Sequence, residues 1–366
     1  MSFMDSMDDN GPYTGIFVRQ NIGQLPTQLG QGSCFSPDII VDNSFPVSPA
    51  PGSYATQADY NAATEHPNNA TMSNENFVYL RGLQANGYTG GTNFFLYYVE
   101  SDLALWPKNW TLLQKITVGS ANPPGSYVNW AYAPNPVPGS SNQIVMVDQP
   151  ILWTPDPPVA GQHFCLICWA DNSTESNPIP PDWNLYNQMA SGNDLMAFLG
   201  MNPNMGWLNT QDFTAPPPDS IYQVNVTAID AETLNITVNF LNISTGTFSV
   251  NLLGNGVSYN SGTLNVANFT GGFQLPQQSI PANTSATLQV FYDNGGQTLG
   301  PLSRINAVLQ KVVSPEMMEF FEPQLATPGM YLPIKKMRLA MYDGGLGDVE
   351  DVFTLGTQTW NLNFSS

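Results

Sequence analysis

Positive charge is what this 366-residue chain has least of: nine Lys and Arg stand against 28 Asp and Glu, a formal net charge of −19. Nucleic acids and anionic membranes are bound through a basic footprint, so neither is expected as a partner. Charge of either sign is scarce, at 10% of residues, where soluble domains average about 25%. Between Lys115 and Arg304 lie 188 consecutive residues without a Lys or Arg, and only eleven acids. The surface of that stretch must draw its polarity from Asn, Gln, Ser and Thr, side chains suited to close contact with neighbouring subunits or sugars.

Three cysteines, Cys34, Cys165 and Cys168, are too few and odd in number for a disulfide scaffold. No apolar run approaches the ~18 residues of a transmembrane helix. The opening residues MSFMDSMDDNG are acidic, unlike the basic start of a secretory signal. The expectation is a chain that reaches an extracellular or particle-like location by a route reading no such signal, or else stays in the cytoplasm. Catalytic signatures are missing too: there is no G-x-S-x-G elbow, H-E-x-x-H, Walker loop, G-x-G-x-x-G after a strand or Asp-Thr-Gly turn. No enzymatic activity is expected.

What the chain has in abundance is turn residues, 31 Gly and 31 Pro spread along its length. Between them lie short β-branched and aromatic runs, the pattern of an all-β fold. The runs include Phe77–Leu80, Phe94–Val99, Tyr127–Tyr132, Ile144–Val147 and His163–Ala170, then Tyr222–Ile229, Leu234–Leu241, Thr247–Leu253 and Ala286–Tyr292. Residues 1–32 read as an N-terminal arm, 33–213 as a loop-enlarged β-sandwich, and TAPPPDS at 214–220 as a Pro-rich linker. A second sandwich follows over 221–312, its strands about ten residues apart. The extension 313–366 holds a helix begun by Ser314-Pro315-Glu316, with Ser as cap and Pro at the first helical position, and strands that return to complete a sheet.

Few residues invite a chemical role. Cys165 and Cys168 match C-x-x-C, but inside the strand pattern HFCLICWA they point to opposite faces, which argues for structural thiols rather than redox or zinc chemistry. His66 and His163 are the only histidines. Asp343, Asp348, Glu350 and Asp351 crowd a Gly-rich turn, where calcium is the one cofactor they could hold; the plainer reading is a solvated acidic loop. Trp106, Trp110 and Trp183 lie in loop-like sequence, where an exposed indole could stack on a sugar ring or anchor a protein, or simply pin the edge of a sheet. Nine N-x-S/T sequons are close to the number chance supplies in so Asn-rich a chain, and no glycosylation is expected.

The elements Ser36-Pro37-Asp38-Ile39-Ile40, Asn76-Phe77-Val78-Tyr79-Leu80-Arg81, Tyr97-Tyr98, Leu105-Trp106-Pro107 with Trp110, and His163-Phe164-Cys165-Leu166 resemble a pattern in largely uncharacterised bacterial proteins. Those are immunoglobulin-like sandwiches of the adhesion-related, CARDB-like type. The resemblance covers residues 33–213 and implies a binding or structural role, with no catalytic residues to transfer. The expected molecule is two immunoglobulin-like β-sandwich domains in tandem with a C-terminal extension. Its expected role is a self-associating structural subunit, partnered by its own copies or other structural proteins. The alternative is an adhesin or lectin-like module that uses the loop tryptophans, assisted by calcium.

Overall fold

The computed structural model describes residues 13–42, 54, 57–61, 69–85, 88, 92–100, 102–118, 127–131, 143–147, 150–158, 163–171, 189–212, 221–228, 233–300, 302–326, 331–340 and 346–362. It is nearly all β, arranged in several antiparallel sheets. In the first half the order is β1 (Gly15–Phe17), β2 (Ile39–Asp42), α1 (Gln57–Asn61), β3 (Asn76–Ala85), β4 (Thr92–Glu100), β5 (Thr111–Val118), β6 (Tyr127–Ala131), β7 (Gln143–Val147), β8 (Ile151–Trp153), β9 (Phe164–Asp171), α2 (Gly192–Met201) and β10 (Met205–Asn209). The second half follows as β11 (Ile221–Ala228), β12 (Thr233–Leu241), β13 (Thr247–Gly254), β14 (Val257–Asn260), β15 (Thr284–Asp293), β16 (Arg304–Val312), α3 (Pro315–Leu325), β17 (Ile334–Ala340) and β18 (Leu346–Asn361). No helix among the described residues is long and apolar enough to cross a membrane.

The long strand β3 organises an outer sheet, pairing antiparallel with β1, β2, β7 and β8, while β6 pairs with β7. A second sheet, in the order β10-β9-β4-β5, is covered on both sides. Phe94, Leu96, Leu166 and Cys168 face the core shared with the outer sheet, whereas Phe95, Tyr97, Val99, Cys165, Ile167 and Trp169 face the opposite core. Burial on both faces is why FFLYYV and HFCLICWA are apolar at nearly every position instead of alternating.

The second half is built of β11-β15-β13-β14 and β12-β16-β18-β17. Their strands alternate: Tyr222, Val224 and Val226 of β11 point inward, as do Phe248, Val250 and Leu252 of β13. Rings from the two sheets meet in the layer between them, Phe240 of β12 lying 4.4 Å from Phe248, and Tyr222 5.9 Å from Trp360 of β18. At Asn255-Gly256, between β13 and β14, both residues have positive φ (45° and 87°), the twist-compatible hairpin turn that Asn-Gly favours.

The extension does return to the body. Ser314 accepts a hydrogen bond from the Met317 amide at the start of α3, and β18 pairs with β16 from Arg304↔Asn361 to Val312↔Val352. Residues 13–32, which the sequence suggested as an arm, lie within the body: β1 pairs with β3, the Gly30 amide donates to Gly200 and the Gly32 amide to Thr354. Residues 213–220, which include the whole of the expected linker, lie outside the described residues. One apolar cluster runs without interruption from Phe95, Trp169 and Phe198 of the first half to Val250, Leu288 and Leu309 of the second.

Candidate functional site

Of the tryptophans named from sequence, Trp106 and Trp110 do not form a stacking platform. Pro107 begins a single 3-10 turn, Pro107–Asn109, which swings both flanking indoles inward. Trp106 is 3% exposed and donates through Nε1 to the Thr227 carbonyl at 2.9 Å; Trp110 is 6% exposed and donates to the Leu105 carbonyl at 3.2 Å. The Trp110 ring sits among Tyr97, Phe198, Trp169 and Trp207, with centroids 5.6 to 6.4 Å away. Neither ring offers a face to a sugar. Trp183 lies outside the described residues.

Among the described residues the acidic run does not close into a cation loop either. Asp348, Glu350 and Asp351 lie along β18, where the neighbours Glu350 and Asp351 project from opposite sides. Asp351 pairs with Lys336 of β17 at 2.9 Å, and Asp343 is outside the described residues. Among the described residues no three His, Cys, Asp or Glu are grouped as metal ligands would be.

Cys165 and Cys168 project into different cores, as their spacing on a strand requires. Cys165 donates to Asn209 Oδ1 at 2.9 Å, and burial holds the Cys168 thiol well above its ordinary pKa. The Cys34 amide donates to Thr357 Oγ1 at 2.9 Å. His163 is buried against the Gln358 amide and faces Trp360, and burial pushes its pKa down to about 3, so the ring is neutral. Cys34, Cys165, Asn209 and His163, with Thr357 and Gln358 of β18, form a polar seam between the first half and β18. Its side chains hold the halves together and present no reactive atom to solvent.

Sequence reasoning overlooked a buried ionic cluster. Arg19 and Arg81, two of the nine basic residues, converge on Asp38: Arg19 Nη2 lies 2.5 Å from Oδ1 and Arg81 Nε 3.0 Å from the same oxygen. Arg81 also reaches Asp59 at 2.6 Å, and the Arg19 guanidinium lies over the Tyr60 ring at 3.5 Å. Burial opposes the charge on Asp38, but the two guanidiniums outweigh it and hold the carboxyl below its usual range. The signal was present in sequence as an Arg inside the apolar run NFVYLRGL. The cluster fastens β1, β2, α1 and β3 to one another.

The surface with the most distinctive chemistry is the outer face of β11-β15-β13-β14. Strand register lays one row of amides across all four strands, Asn260–Asn251–Gln289–Gln223, and beside it the row Ser258–Leu253–Thr287–Asn225. Further along come Ser249–Phe291–Ile221 and the pair Thr247–Asp293. Gln289 Nε2 donates to Gln223 Oε1 at 3.4 Å, and Thr287 Oγ1 to Asn225 Oδ1 at 3.4 Å. Asp293 is the only charged residue in these rows. Cross-strand pairs of this kind rigidify the face and keep it flat in charge.

No family model matches the chain, and no curated protein matches it. Among solved structures, the crystal structure of an uncharacterized protein from Burkholderia cenocepacia aligns with 67% of this chain and 79% of its own at 10% identity. The TM-score is 0.16, too low to bear on fold or function.

Proposed function

We propose that the chain is a non-enzymatic structural subunit, built on two immunoglobulin-like β-sandwiches, that self-associates through the outer face of β11-β15-β13-β14 in a particle-like or extracellular assembly. One observation carries this reading: a protein with net charge −19 keeps a four-strand face whose rows hold a single acid. Copies repel one another over most of their surface, and a face rich in amides with a single acid is where that repulsion is least and hydrogen-bonding capacity greatest. Half-exposed Phe291 and exposed Ile221 and Leu253 add apolar area at its centre and edges. The immunoglobulin-like part rests on the resemblance to CARDB-like proteins, two of whose matching segments, Ser36–Ile40 and Asn76–Arg81, are joined by the Asp38–Arg81 ion pair.

Light scattering on a sizing column, over roughly a hundredfold range of concentration, tests the proposal. Oligomers that grow with concentration are expected, together with their loss in Gln289→Glu at unchanged melting temperature, because like charges facing across an interface cost several kcal/mol. A wild-type chain that stays monomeric throughout overturns it.

A further inference from the structure

Where the first half meets β11, the end of β4, the turn Pro107–Asn109 and the start of β5 enclose a cleft of about 370 Å³. Tyr98, Glu100, Asn109 and Thr111 line it from the first half, and Asn225 and Thr227 from the second. Its floor is Asp102, whose Oδ1 accepts from the amides of Ala104 (3.0 Å) and Thr227 (3.2 Å) and whose Oδ2 accepts from the Thr227 hydroxyl. The Leu103 amide donates to the Asn225 carbonyl at 2.9 Å, so the two walls are tied together at their base. The site is therefore preformed, and it has the size and the inter-body position usual for small-molecule clefts.

Its lining selects the ligand class. No Lys or Arg contributes, so a phosphate or carboxylate would go unmatched, and six of the eight lining residues, those besides Tyr98 and Val99, carry charged, amide or hydroxyl groups, which does not suit a lipid. Glu100, Asn109 and Thr111 are exposed, and among the described residues no hydrogen bond engages their side chains. They supply a carboxylate that accepts from hydroxyls, an amide that donates and accepts, and a hydroxyl that does both. A metal ion or polyamine uses acceptors alone, and Asp102, the second carboxylate, is already spent on three donors. Tyr98 adds a half-buried ring whose position is fixed by Phe164 at 5.7 Å and Trp153 at 6.4 Å. We infer that this junction cleft binds a short neutral saccharide, with Glu100, Asn109 and Thr111 gripping its hydroxyls beside Tyr98. The inference does not depend on self-association, and it uses neither loop tryptophan as a stacking surface.

Titration calorimetry of the full chain with neutral trisaccharides (cellotriose, tri-N-acetylchitotriose, maltotriose and mannotriose) tests it. At least one is expected to bind, with Glu100→Gln weakening it by about tenfold, the loss of a charge-assisted hydrogen bond. Asn109→Ala should weaken it similarly, and Gln289→Glu should leave it unchanged. Because Glu100 and Asn109 are exposed, both variants should fold, and an unaltered melting curve verifies this. The inference is overturned if none of the four binds up to about 10 mM, if binding survives the Glu100→Gln/Asn109→Ala double variant, or if inorganic phosphate or calcium alone binds in the cleft.

Discussion

Asp102 is a residue whose worth depends on its protonation. Burial, the larger influence, raises its pKa, while hydrogen bonds from Thr227 and Ala104 pull the other way. A carboxyl whose folded pKa is raised adds full stability below its ordinary value of about 4 and loses it as pH climbs through the folded value. Above that point the protein pays to keep a buried anion. Asn at this position keeps an acceptor for the two amides and turns a donor toward the Thr227 hydroxyl. Asp102→Asn should therefore melt higher than wild type at pH 7, with the advantage vanishing near pH 4. Thermal denaturation across that range checks this, and a variant less stable at pH 7 would show that the ionised form is the one the fold prefers. Asp38 runs in the opposite direction, since its depressed pKa makes its contribution present above about pH 4 and lost on acidification.

At the scale of elements, β18 is where the chain is most tightly constrained. A Cβ added at Gly356 would fall inside the van der Waals radius of the Leu103 carbonyl oxygen, and one added at Gly32 would collide, less severely, with the Leu355 carbonyl. Both collisions are with backbone, which cannot step aside. Gly356→Ala should cost about 3 kcal/mol or more, whereas Gly271→Ala, in open space, should change stability by less than about 0.5 kcal/mol; urea denaturation of the pair separates the two. Strands were largely legible because β-branched runs and turn residues report directly on local geometry: Phe94–Val99 and Leu234–Leu241 lie within β4 and β12. The helix α2 was not legible, because NDLMAFLGM is short and buried nearly all round. Its start was nonetheless written in Ser191 and Asp194, where the Ser191 hydroxyl accepts from the Asp194 amide and the Asp194 carboxylate accepts from Ala190. The sequence left Trp106 and Trp110 open between stacking on a ligand and pinning a sheet edge, because Pro and Lys between them read as a surface loop and nothing local reveals that the loop folds over a core. The amide face was legible as composition but not as a place, since only strand register brings Asn260, Asn251, Gln289 and Gln223 into one row.

For the whole molecule, the decisive fact is that the polar and apolar links between the halves are of the same kind as those within them. Trp106 and Asp102 bond to Thr227, Cys34 to Thr357, and the Gly32 amide to Thr354. A single apolar cluster extends across the same boundary. Domains joined by a Pro-rich tether through a modest polar contact melt separately, whereas bodies that share one core lose stability together. Opening the junction would expose Leu103, Leu105, Trp106 and Leu355, all buried, and would strand Asp102 without the donors that offset its burial. Differential scanning calorimetry should accordingly show one unfolding transition for the full chain, with calorimetric and van't Hoff enthalpies in agreement. Two resolved transitions would mean that each half holds its own core and that the shared cluster is only a contact surface. In that case the junction cleft would lie between bodies free to move, and its affinity for a saccharide would fall, because the walls would no longer be set in place before the ligand arrives.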